Sequence, residues 1–117
     1  MPARGDGCGG RPDGVTVVRS AGDASTAASV SAASVTASLR AEGLVPRTWA
    51  DGDGVVYERH VHPRHKVLVC VSGGIVFHTD YGDLALETGD RMELPAGVEH
   101  AATVAPGGVT CVEAYRR

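Results

Sequence analysis

Three histidines carry the chemistry this sequence offers. His60-Val61-His62 sets two imidazoles two residues apart. On a β-strand that spacing puts both rings on one face, and two neutral imidazoles so placed can chelate one divalent ion. A third ring, His100, closes the run Gly89-x5-Pro95-x-Gly97-x2-His100. Three imidazoles on one ion leave positions open for water or substrate, an arrangement that suits zinc or iron chemistry. Lys66 follows His62 after three residues. Its ammonium has three donors and no acceptor, and while charged it repels a divalent ion inside a low-dielectric site. It would ligate only after losing its proton, which needs a large downward pKa shift. Three arrangements therefore stay open. The histidines hold a metal and Lys66 swings aside or holds an anionic substrate; the site is metal-free and Lys66 joins the histidines in a polar pocket for a carboxylate or enolate; or Lys66 pairs with an acidic neighbour at the rim and does nothing inside. Lys66 and Glu58 are the candidates for a catalytic role. Residue 58 shares the period-two face of His60 and His62, where a carboxylate could act as an acid or base, although a strand-end carboxylate is more commonly just solvated.

The other marked residues read more plainly. His65 follows Pro63-Arg64 and belongs to a loop; it is either a substitute ligand or, more simply, a solvated histidine. His78 follows Phe77, so if Phe77 points inward, alternation puts His78 on the outside. Asp90 suits the satisfaction of turn amides. Trp49 and Tyr57 either line the mouth of the site or pack in the core. Cys8, Cys70 and Cys111 are odd in number, widely spaced and without a Cys-x-x-Cys pair, which argues against a disulfide framework or a thiolate zinc site; Cys70 and Cys111 read as small core residues. No Gly-x-Gly-x-x-Gly or P-loop supports nucleotide binding.

The elements that must hold these residues are mostly strands. Aromatic residues make up 4% of the 117-residue chain, so aliphatic side chains must fill the interior. Residues 1–33 are rich in Gly, Ala, Ser and Thr and bury too little apolar surface to offset ordering entropy; they are expected to be a disordered or low-complexity tail. Residues 34–117 are expected to be one domain. It opens with a short helix over 34–42, which Ser31 or Ser34 can cap and Gly43 can end. Beyond Trp49 the pattern turns to β. Strands are expected over 55–62, 66–72, with Val67, Val69 and Val71 on one face and Leu68 and Cys70 on the other, 75–79, 84–87, 91–94, 101–104 and 109–114. Gly73-Gly74 reads as a hairpin turn, and Pro106-Gly107-Gly108 as a second reversal. Short strands punctuated by Gly and Pro predict an all-β sandwich or barrel.

The two histidine-bearing segments together resemble the paired motifs of the cupin superfamily. The second motif, Gly89-x5-Pro95-x-Gly97-x2-His100, matches at each fixed position. The first, His60-x-His62-x3-Lys66-x6-Gly73, has every spacing of the family pattern with Lys66 where that pattern carries Glu. The resemblance covers about residues 44–116 and is to compact single-domain bacterial cupins of the conserved-barrel type. It implies an all-β jelly-roll barrel preceded by one short helix, with His60, His62 and His100 as ligands of a divalent transition metal (Fe, Mn, Zn or Ni), and the departure at Lys66 leaves a metal-free site open as well. It also implies a small-molecule ligand and a homodimer. An enzyme of oxygenase or isomerase type is one reading; a non-catalytic ligand-binding or sensing barrel is the other. A net charge of −3 lacks the concentrated basic face that nucleic-acid binding needs. No long apolar run predicts a membrane span or signal peptide, so the expected location is the cytoplasm.

Overall fold

The computed structural model describes residues 11–19 and 30–116. The elements are β1 (Thr16–Val18), α1 (Ala32–Ala41), β2 (Arg47–Asp51), β3 (Val56–His60), β4 (Lys66–Thr79), β5 (Gly82–Glu87), β6 (Arg91–Leu94) and β7 (His100–Tyr115). All pairings are antiparallel. The long strands β4 and β7 pair with each other and run through both layers of a jelly-roll barrel. The first half of β4 pairs with β6 and its second half with β5. The first half of β7 pairs with β3 and its second half with β2.

Alternation sorts β4 as the sequence predicts. Leu68 and Cys70 join Met92, Leu94, Ile75 and Phe77 in the barrel interior. Val67, Val69 and Val71 face out and are covered by Leu39, Val35 and Leu44 of the α1 region. Burying Leu39, 1% exposed, is worth roughly 1.5–3 kcal/mol. The Ser31 side chain caps α1 by accepting from the Ser34 amide, and Gly43 ends it at φ +85. Cys70 and Cys111 are directly opposed on β4 and β7 and fully buried, as small core residues.

Three expectations need correction. Gly73-Gly74 is not a hairpin turn: β4 runs straight through it to Thr79. A type I′ turn needs two positive φ values, and here Gly73 has one and Gly74 does not. What the glycine supplies is close approach, because a Cβ at Gly73 would lie 2.0 Å from the carbonyl oxygen of Gly108. Pro106-Gly107-Gly108 likewise does not reverse the chain; it is an irregularity within β7 opposite that crossing. The chain thus bends where two backbones nearly touch, and two expected pairs of strands are two continuous ones. Finally, part of the expected tail is barrel. Residues 16–18 pair with β6 and Val15 is 1% exposed in the interior. Three strand residues among Gly, Asp and Arg give too short a pattern to register. Residues 1–10 and 20–29 lie outside the described residues. The strand β2, with Trp49 in its middle, was also not expected.

Candidate metal centre and the buried pair beside it

His60 is the last residue of β3 and His100 the first of β7, and the two are register partners. His62 lies beyond the end of β3, so strand alternation does not place it. Its backbone is held by the Gly97 amide, which donates to the His62 carbonyl at 3.0 Å; Gly97 can do so at φ +82. The ring centroids are 4.8 Å apart for His60 and His62, 4.4 Å for His60 and His100, and 5.0 Å for His62 and His100. One donor atom from each lies within 4.8 Å of the others.

Two of the rings are oriented by main-chain carbonyls. His60 Nδ1 donates to Glu58 O at 2.6 Å, and His100 Nδ1 donates to Val98 O at 2.9 Å. Those bonds fix the tautomer and leave each Nε2 lone pair free. His62 Nε2 is buried with no hydrogen-bond partner. An unsatisfied buried imidazole nitrogen carries a desolvation cost of about 1–3 kcal/mol, which an electron-pair acceptor at the centre of the three rings would relieve. Burial, helped by the Lys66 ammonium, pushes the His62 pKa down to about 4. Burial also lowers that of His100. Neutral imidazole is the form that ligates a metal, so the donor set fits a divalent ion.

The Lys66 ammonium sits on the same cavity, 3.0 Å from Glu113 Oε1. Lys66 is 9% and Glu113 4% exposed, so the acidic partner is inside the barrel and not at its rim. Glu113 Oε1 also accepts from Trp49 Nε1 at 3.0 Å, and its Oε2 from Arg47 at 2.8 Å. Burial alone would raise the Glu113 pKa, but Lys66 and Arg47 outweigh it and hold the carboxyl below its ordinary range. The cavity has a volume of about 410 Å³, with Tyr57, Phe77 and Ile75 as apolar walls and Tyr115 beside His62.

Glu58, expected on the inward face as an acid–base candidate, is exposed and lies off the cavity wall. A register shift between Tyr57 and His60 breaks the period-two alternation, so Tyr57 shares the inner face with His60. Only the main-chain carbonyl of Glu58 serves the site. His65 bonds to Glu93 at 2.8 Å, away from the cavity, and His78 lies between Asp83 and Thr103. Sequence reasoning missed Glu113. Its signal was faint: a single acid in an apolar strand between Val112 and Ala114, where burial without a cationic partner would be costly.

No family model and no curated protein matches the sequence. Solved structures do match in fold. A cupin-2 domain protein from Shewanella frigidimarina superposes with a TM-score of 0.55 at 17% identity, covering 63% of this chain and 71% of that one. KdgF from Halomonas sp. gives 0.52 at 23% identity, covering 63% and 70%. A structure from work on the DMSP lyases RdDddP and RnDddQII gives 0.59 at 29% identity, covering 63% of this chain but 38% of that longer one.

Proposed function

The chain is a cupin by fold, and on that footing we propose that His60, His62 and His100 hold a divalent transition metal (Fe, Mn, Zn or Ni) and that the protein acts on a small organic molecule in the barrel. The observation that carries this reading is the buried, partnerless Nε2 of His62, whose ring lies 4.8 and 5.0 Å from two rings whose own Nε2 atoms are left free by their carbonyl bonds. A divalent ion in such a site supplies Lewis acidity, or activates water or dioxygen. The residues of the chain do the rest. Glu58 O and Val98 O hold two imidazoles in the ligating tautomer. Burial keeps His62 and His100 neutral near pH 7. Glu113 keeps the Lys66 charge at the wall, 3.0 Å from its own carboxylate. The apolar walls limit water around the substrate. Oxygenase or isomerase chemistry is compatible with this site, and one fold neighbour, a structure from work on DMSP lyases, is in keeping with an enzyme.

A second reading has its own observation: Lys66 stands where the resembled motif carries a ligating carboxylate. The pocket would then be a metal-free binding or sensing site for a small anion. Metal analysis of freshly purified protein separates the two. The enzyme reading expects one equivalent per subunit, lost in His100→Ala. Absence of metal after growth with Fe, Mn, Zn and Ni would leave the binding module. We also propose that the protein works as a homodimer in the cytoplasm. Val56, Val61 and Tyr81 are exposed apolar side chains that a second copy could cover, and sedimentation would measure the mass.

A further inference from the structure

We propose that Lys66 selects the ligand: the cavity takes a small organic carboxylate whose charged group docks on the Lys66 ammonium, with its remaining oxygen atoms toward His60, His62 and His100. The inference rests on the three-histidine metal reading of the same site and names its substrate class.

The first support is the engagement of Glu113. It meets Lys66 and Trp49 at Oε1 and Arg47 at Oε2. A carboxylate tied on three sides is not free to complete the histidine set. Lys66, in contrast, has three donors. Among the described residues its ion-pair partner is Glu113 alone, and its other contact is the Tyr115 ring, 6.0 Å from the centroid. The ammonium is therefore fixed in place with donors left over for a ligand.

The second support is charge. Of the charged residues lining the cavity, Arg47 and Lys66 are offset by Asp51 and Glu113. Neutral imidazoles bring no negative charge to an ion they hold. A divalent ion among His60, His62 and His100 would thus add two positive charges with no carboxylate beside it to offset them. Arg64, 5.4 Å from the Tyr115 centroid, adds a further cation near the same ring. At the low effective dielectric of a barrel interior this excess favours an anion strongly.

The third support is the wall. Ile75, Phe77 and Ala102 line the cavity together with the polar groups. A space of about 410 Å³ with an apolar side suits an organic acid with a short carbon skeleton better than a fully hydrated inorganic anion.

Lactate and lactamide test this directly, since they have nearly the same shape and differ in charge. Binding of each would be measured calorimetrically to zinc-loaded protein, wild type, Lys66→Met and Lys66→Gln, with metal content determined on the same samples. The expected result is that wild type binds lactate at least tenfold more tightly than lactamide. Both Lys66 variants lose at least fivefold of that ratio and keep one metal per subunit. Equal binding of the two probes by metal-loaded wild type overturns the inference alone, and that arm stands even where a variant fails to fold. Unchanged discrimination in metal-loaded variants does the same. Phosphate binding as tightly as lactate at the same site overturns the carboxylate assignment. Protein that takes up no metal overturns the three-histidine reading and this inference with it.

Discussion

Replacing Glu113 by Gln removes one charge from the interior and little else. The amide oxygen can still accept from Trp49. The bond to Arg47 weakens, but that side chain is 75% exposed, so its loss costs about 0–1 kcal/mol. The cost is concentrated on Lys66, whose side chain is 11% exposed. Leaving a buried charge without its partner costs about 3–5 kcal/mol. Glu113→Gln should therefore lose about 3–5 kcal/mol of stability. At about 4–8 °C per kcal/mol for a domain of this size, Tm falls by roughly 12 °C or more. Denaturant melts of wild type, Glu113→Gln and the double variant Lys66→Met/Glu113→Gln read this out, with the double variant recovering most of the loss. A Glu113→Gln protein within 0.5 kcal/mol of wild type would refute the buried-pair argument.

Other outcomes follow from the same structure. Because His62 titrates near 4 when folded and near 6.5 when unfolded, metal-free protein should lose stability as pH falls from 6.5 toward 4, on the order of 1–2 kcal/mol after solvent screening; His62→Gln should flatten that limb of a pH–stability curve. Gly73→Ala should unfold or misassemble the barrel, since the added Cβ meets the Gly108 carbonyl oxygen at 2.0 Å. Gly43→Ala, at φ +85 in open space, should cost only about 1 kcal/mol; circular-dichroism melts compare the two. Val15→Ala should destabilise by about 1–3 kcal/mol, because Val15 is 1% exposed in the interior; no change in Tm would count against β1 as part of the barrel.

The legible part of this molecule is local. His60, His62 and His100 stand in short motifs of fixed spacing, and the alternation of Val67, Leu68, Val69, Cys70 and Val71 names both faces of β4. The illegible part depends on contacts distant in sequence or on broken periodicity. Glu113 stands 47 residues from Lys66, and nothing near either predicts the pair; only β4–β7 register sets them on one wall. Period-two counting puts Glu58 on the inward face because the register shift after Tyr57 is invisible to it. Gly73-Gly74 has the composition of a hairpin turn, but a close approach to Gly108 asks for the same absent side chain. Strand spacing puts His62 beside His60, whereas the Gly97 amide holds it past the strand end.

The most direct test is diffraction from crystals grown with zinc, recorded at the zinc absorption edge. One anomalous peak per subunit is expected, bonded to the Nε2 atoms of His60, His62 and His100 at about 2.0–2.1 Å, with the Lys66 ammonium still on Glu113. Full zinc uptake with the peak elsewhere, or the three rings without a peak between them, would contradict the three-histidine reading.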